Sequence, residues 1–355
     1  MPPPINIALI GSGIFIKEEH LPAVLACPDL NLKAIYSRTL KSATTVSKLL
    51  PTTESENTTQ VDLYSDDSAK GETYPDLLAR DDVHAVIIAL PIIVQPRFIQ
   101  EALKAGKHVL AEKPLAPDVQ SGRELIEWYH DHIDTNKVTF GVAEQFRYLK
   151  AFLYAAEQAR GMGKVIGFRH FLSADVKPDM KYFQTEWRRK PEHQGGFLLD
   201  GGVHFVAGMR LLLGKEAKVE RVVAFTALGR EHLGPVDTVD ASFRLAGGGT
   251  GGFSVSMGTS FKGARWGVAC ERGSVSVEGD KVTVLPVHGE ERVVEKGDEV
   301  GGVKQEVFAW AKGMVSGRQE ERQRPEEGLA DLEVLEAMLK SGKAGGQPVE
   351  LKYQI

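Results

Sequence analysis

Asp200 and His204 stand four residues apart in Gly196-Phe197-Leu198-Leu199-Asp200-Gly201-Gly202-Val203-His204. On a helix that spacing puts both side chains on one face. Histidine exchanges protons near neutrality. An aspartate can orient an imidazole and stabilise its charged form. A metal site is the rival use of such a pair. No third ligand of recognisable spacing accompanies it, and His193 lies in a loop without a metal motif, so no metal is expected. A purely structural His–Asp pair is the other alternative. A second reactive group is Lys113, between Glu112 and Pro114 at the end of the apolar run His108-Val109-Leu110-Ala111. Ligands of open α/β sheets bind at the carboxyl ends of such strands. An ammonium there can polarise a carbonyl or alcohol oxygen and stabilise an alkoxide. Pro114 fixes the turn and is compatible with a cis bond.

Gly11-Ser12-Gly13 follows the first apolar run, Ile5 to Ile10, and precedes a helical segment. In that context the glycines permit a tight turn, and backbone N–H groups approach a pyrophosphate at a helix N-terminus. Gly11, Gly13 and the adjoining Ile14 and Phe15 are therefore expected to bind a dinucleotide. The third fingerprint position holds Ile16 instead of Gly or Ala, which predicts a longer loop or a helix set farther from the sheet. The second apolar run ends Tyr36-Ser37-Arg38-Thr39, with Lys41 just beyond. An acidic residue there would favour NAD. A hydroxyl and two cations suit a 2′-phosphate, so Ser37 and Arg38 point to NADP(H). The plainer alternative is that Arg38 and Lys41 solvate a helix start.

These groups need elements to hold them. Leu32 to Tyr36, Val86 to Leu90, His108 to Ala111 and Val138 to Val142 read as further buried strands. Val94, Phe98, Ile99 and Leu103, and then Val119, Gly122, Ile126, Tyr129 and Ile133, mark one face of two helices. Alternation of this kind predicts a doubly wound parallel sheet over residues 1–145. Residues 51–70 are rich in Thr, Ser, Asp and Glu and read as a mobile surface insertion. Over residues 146–355 the period changes. Val239, Ala241, Phe243 and Leu245 alternate with polar residues, as do Phe253, Val255 and Met257, with Gly247-Gly248-Gly249 as a hairpin turn. That predicts an α+β domain on a large, mostly antiparallel sheet with one apolar face. The other, small and polar face is solvated or used for contact between two copies. Val303, Val307, Trp310 and Met314, then Leu329, Leu332, Leu335 and Leu339, mark two closing helices.

The 355 residues, 42% hydrophobic and 26% charged, carry a net charge of −5. That balance speaks against nucleic acid or anionic membrane as partner and for a small-molecule substrate. Two distant cysteines, Cys27 and Cys270, form no disulfide framework and fit a reducing cytoplasm. No signal segment and no apolar run of membrane-spanning length is expected.

Taken together, the motifs resemble the glucose–fructose oxidoreductase, inositol dehydrogenase and rhizopine-catabolism (Gfo/Idh/MocA) family, in a fungal-type member. The resemblance spans nearly the whole chain. It rests on Gly11-x-Gly13, on Gly106-Lys107-His108-Val109 running into Glu112-Lys113-Pro114, and on Gly196-x3-Asp200-x-Gly202-x-His204. It implies an NADP-binding Rossmann domain, a substrate and oligomerisation domain, and sugar, polyol, dihydrodiol or related substrates. It implies that Lys113 is the catalytic lysine, His204 the proton-transfer histidine and Asp200 the adjacent acid. It also implies that Leu90, Pro91, Glu112 and Lys113 border the cofactor. Ile92 and Gln95 replace the family's usual Asn and His. Gln145 and Arg147, and Trp187 with Arg188, match segments that line the substrate, and a homodimer through the C-terminal sheet is expected. A dihydrodiol dehydrogenase-like enzyme and a non-catalytic NADP-binding regulator, similar to the galactose-regulon repressor of yeasts, are the alternatives on the same fold.

Overall fold

Strands buried on both faces and joined by amphipathic helices can satisfy their backbones only in a parallel sheet covered on either side. The computed structural model describes residues 4–51, 61–69, 71–298 and 301–355. In its first unit the strands are β1 (Ile5–Ile10), β2 (Leu30–Ser37), β3 (Asp62–Ser65), β4 (Ala85–Ile88), β5 (His108–Glu112) and β6 (Phe140–Ala143). They lie in the order β3-β2-β1-β4-β5-β6 and are all parallel. That is the dinucleotide-binding order, which reverses direction beside β1. The connections carry α1 (Leu21–Ala26), α2 (Leu40–Ser47), α3 (Tyr74–Leu78), α4 (Gln95–Lys104) and α5 (Val119–His132). A π-helical turn, Ile16–His20, precedes α1. This turn absorbs the irregularity that Ile16 announces, with the isoleucine side chain fully buried.

The second unit is built on nine strands. They are β7 (Val165–Asp175), β8 (Val219–Ala227), β9 (Thr238–Leu245), β10 (Thr250–Ser256), β11 (Gly258–Cys270), β12 (Gly273–Glu278), β13 (Lys281–Pro286), β14 (Arg292–Glu295) and, near the end of the chain, β15 (Val349–Glu350). Their order is β14-β13-β12-β11-β7-β10-β9-β8-β15. Among the described residues of this sheet only β7 and β10 pair in parallel. Val239, Phe243 and Leu245 are buried while Asp240, Ser242 and Arg244 are exposed, so the period-two pattern marks the two faces as expected. The helices of this unit are α6 (Lys150–Arg160), α7 (Glu186–Arg189) and α8 (Gly196–Leu213). By length and composition α8 could cross a membrane, with a mean hydropathy of 1.3, yet 67% of it is buried within the fold. It also carries Asp200, His204 and Arg210, which suits the core helix of a folded unit.

Two helices close the chain, α9 (Val303–Ser316) and α10 (Pro325–Lys343), and they part company. Residues 303–325 belong to the first unit, and residues 326–355 to the second. Val303, Val307, Trp310 and Ala311 join the core formed by Ile16, Leu21, Val24 and Cys27. The expected single boundary at 145/146 stands beside two units whose segments interleave. Residues 117–119 group with the second unit, and after Ala143 the chain leaves the first unit again and returns to it at Val303. The reading of residues 51–70 as an insertion is corrected, because residues 62–65 form the edge strand β3, paired with β2. Residues 52–60 and 70 of that stretch lie outside the described residues.

Candidate functional site

The first unit builds a tight glycine turn at the end of β1. Gly11 has φ +126°, and a Cβ there would stand 2.4 Å from the Ala89 carbonyl oxygen. No L side chain fits that position. At Gly13 a Cβ would meet nothing within 4 Å, so the turn opens onto free space on the side where Ile14 and Phe15 begin a helical turn. The Ser12 and Ser37 hydroxyls are 2.6 Å apart and tie this turn to the end of β2. Ser37 is buried, and Arg38 next to it is exposed. The Tyr36 hydroxyl donates to Asp66 at 2.6 Å, and the Leu40 N–H to Asp67 at 2.7 Å. Both acids at the end of β3 are therefore engaged. A tight glycine turn, open space beside it and a cation at the end of β2 fit a pyrophosphate and a 2′-phosphate.

Glu112 is the last residue of β5, and the Lys113–Pro114 bond is cis. Lys113, Leu90 and Pro91 are half-buried. The Glu112 carboxylate accepts from Nε2 of His20 at 2.7 Å. Gln95 donates its amide to the carbonyl oxygens of Glu112 and Pro114, the latter at 3.2 Å. The replacement of histidine by Gln95 thus has a visible use in this chain.

In the second unit the Asp200–His204 spacing falls on α8, and the two side chains have different partners. His204 Nδ1 lies 2.7 Å from Oε1 of Glu144, whose side chain is 1% exposed. The imidazole stacks on Phe146 at 5.3 Å between centroids and 17° between planes. Asp200 instead accepts from Nε of Arg188 at 2.6 Å. The Arg188 guanidinium lies 4.1 Å over the Trp187 ring and also donates to Thr185. Asp200 was expected to hold His204 or a neighbouring substrate hydroxyl; the carboxylate hydrogen-bonded to His204 Nδ1 is that of Glu144. Arg147 was expected to line the substrate. Its side chain is 4% exposed and paired with Asp331, and Arg210 shares that acid. A guanidinium held so deeply is costly to leave unpaired. Gln145, Trp187 and Arg188 are partly accessible. His193 bonds the Gly196 carbonyl at 3.2 Å at the start of α8, and burial pushes its pKa down. Among the described residues no group of three or more His, Cys, Asp or Glu is placed to hold a metal.

Glu144, His20 and Gln95 were not singled out from the sequence as groups that hold other site residues. Their partners lie 60, 92 and 17 residues away, so no local spacing announces them.

A family model described as the oxidoreductase family, NAD-binding Rossmann fold, matches residues 5–140, and its companion, the C-terminal alpha/beta domain, matches residues 159–351. The chain belongs to the Gfo/Idh/MocA oxidoreductase family. The dehydrogenase FPY6 of Fusarium mangiferae is 36% identical over 99% of this chain and 100% of its own length. A dTDP-3,4-didehydro-2,6-dideoxy-alpha-D-glucose 3-reductase of Actinomadura kijaniata is 29% identical over 60% of this chain and 57% of its own. The crystal structure of an oxidoreductase from Thermotoga maritima superposes with a TM-score of 0.83 at 28% identity, covering 98% of each chain. Gfo/Idh/MocA membership establishes the Rossmann unit as an NAD(P)-binding fold and the chain as a member of an oxidoreductase family.

Proposed function

We propose that this Gfo/Idh/MocA member is an NADP(H)-dependent oxidoreductase acting on a sugar, polyol or related hydroxy or carbonyl compound. The observation that carries the reading is the imidazole of His204, held at Nδ1 by the buried Glu144 carboxylate. Such a ring has its tautomer fixed and its Nε2 available for a proton. When bound, the nicotinamide supplies the hydride chemistry that side chains lack. The backbone of Gly11, Gly13, Ile14 and Phe15 binds the pyrophosphate, Ser37 and Arg38 the 2′-phosphate, and Leu90, Pro91 and Glu112 border the dinucleotide. Lys113 donates to the reacting oxygen and favours its alkoxide character. His204 takes that oxygen's proton, or returns it, at Nε2. Asp200 and Arg188, already joined to each other, receive substrate hydroxyls, with Trp187 and Gln145 beside them.

NADP(H) in place of NAD(H) rests on Ser37 and the exposed Arg38, and it favours carbonyl reduction as the working direction. The sugar class draws support from the dTDP-sugar 3-reductase among the relatives. Two buried free thiols fit a cytoplasmic setting, and the polar sheet face a homodimer. The test is NADPH oxidation against a panel of keto-sugars, aldehydes and diketones. Lys113→Ala and His204→Ala should each lower kcat by about 10²-fold or more with NADPH affinity little changed. Unchanged turnover overturns the assignment. Arg38→Ala should raise the KM for NADPH and leave that for NADH in place; equal effects on both remove NADP selection from Arg38. Tight NADPH binding with no turnover on any panel member would point to the non-catalytic regulator instead.

A further inference from the structure

An anion bound at the end of β2 meets whatever charge the neighbouring strand brings to the same end. β3 pairs with β2 in parallel, with Ser65 beside Ser37 in the register, so the two strands finish level. Asp66 and Asp67 follow directly and are exposed. The acidic residue that favours NAD is sought at the end of β2 itself, where this chain has Ser37 and Arg38. A carboxylate delivered from β3 reaches the same corner. Asp67 Oδ1 accepts the N–H of Leu40, the first residue of α2, at 2.7 Å, and the Ser65 hydroxyl at 2.7 Å. Leu40 stands two residues after Arg38.

That placement works against a 2′-phosphate in two ways. Donors at the start of α2 are already in use: the Leu40 N–H serves Asp67, and the Ser42 N–H serves the Thr39 hydroxyl at 3.2 Å. The other way is charge. The Leu40 N–H and the Ser65 hydroxyl are neutral donors, and neutral donors stabilise a carboxylate without cancelling its charge. Together they hold the Asp67 carboxyl below the usual carboxylate range, so it is anionic wherever a phosphate is a dianion. Asp66 differs, since it accepts from the Tyr36 hydroxyl and lies in the field of the Arg97 guanidinium. A dinucleotide with a plain ribose escapes the repulsion, because its 2′-hydroxyl carries no charge.

Resting on the reading of Ser37 and Arg38 given above, we propose that Asp67 is a specificity-determining residue: its carboxylate, fixed at the start of α2, weakens NADP(H) relative to NAD(H) and leaves the chain less selective than Arg38 alone would make it. The test is fluorescence titration of the full chain with NADPH and with NADH, at about 0.02 M and about 0.5 M salt. Asp67→Asn keeps an oxygen acceptor for Leu40 and Ser65 and removes the charge. At low salt it should tighten NADPH by about three- to tenfold and leave NADH within about twofold. Measured against the original chain at the same salt, that gain should shrink to less than about twofold at the higher salt, where exposed charges are screened. Asp67→Glu retains the charge and should give no gain. Asp67→Ser, another neutral acceptor, should reproduce the Asn result and stands in for it if Asp67→Asn does not fold. An unchanged NADPH constant overturns the proposal. So do equal shifts for both nucleotides, the mark of a lost helix cap, a gain indifferent to salt, or the same gain in Asp67→Glu. Failure of the Arg38 reading shows separately. Arg38→Ala would then weaken both nucleotides alike, while Asp67→Asn in that background, acting on the phosphate directly, would still favour NADPH.

Discussion

His204 has two carboxylates within reach of argument, and the one seen hydrogen-bonded to its Nδ1 is Glu144. Asp200 satisfies the one-face spacing of a helix, which is why sequence points to it. Its charge is taken by Arg188 at 2.6 Å. Glu144 lies 60 residues away from the histidine, so the tertiary fold, and no motif, brings them together. The residues legible at this scale were those in local motifs: Gly11 and Gly13, Lys113, Asp200 and His204. Their partners were not, because a hydrogen bond across the chain leaves no periodicity. The dyad makes a direct prediction. Glu144→Gln keeps the shape and removes the charge that stabilises a protonated imidazole. Steady-state kinetics should show kcat lowered by about 10²-fold with the NADPH dissociation constant unchanged. Arg188→Ala should mainly raise the KM for the organic substrate, since it leaves Asp200 without its cation but does not touch His204.

At the scale of elements, the strand and helix positions of the first unit followed from apolar periodicity. The edge strand β3 did not, because Asp62 and Ser65 interrupt any apolar run and pairing to β2 alone defines it. The turn after β1 gives a steric prediction. Gly11→Ala would force a Cβ against the Ala89 oxygen at 2.4 Å and hold an L residue at φ +126°. Destabilisation of about 1–3 kcal/mol and at least tenfold weaker NADPH binding by fluorescence titration are expected. In the second unit, β7 carries an unusual passenger. His170 is 4% exposed, neither ring nitrogen has a hydrogen-bond partner among the described residues, and the Phe168 ring packs against it at 4.8 Å. Burial pushes its pKa down from 6.5 to about 3. The folded chain thus keeps this imidazole neutral while the unfolded chain protonates it below pH 6.5. Stability is fully present above that pH and falls as the pH drops toward 3, by at most about 5 kcal/mol from this group. His170→Phe should flatten that part of the acid limb in denaturant titrations run from pH 7 to pH 4.

For the whole molecule, the change from helix–strand alternation to period-two strands near residue 145 was legible, and so was the nature of both sheets. What periodicity cannot say is which sheet a given helix covers. The apolar stripe of α9 reads the same wherever it packs, and only the structure assigns it to the Rossmann unit. A fragment of residues 1–145 should therefore lack part of its core. Losing the buried side chains of Val303, Val307 and Trp310 removes about 5 kcal/mol or more of apolar burial, comparable with the whole stability of a domain. By circular dichroism and dye binding that fragment should be loosely packed, while residues 1–143 joined to 303–325 through a flexible linker should unfold cooperatively. A cooperative transition in the shorter fragment would refute the assignment of α9 to that core.

The returning segment also sets a timetable for synthesis. A ribosome adding about 5–20 residues per second completes β6 and then spends roughly 8–30 seconds on the intervening 160 or so residues before α9 emerges. During that interval the nascent nucleotide-binding unit exposes the apolar seat of Trp310. Its maturation is scheduled by a stretch of polypeptide translated after most of the other unit.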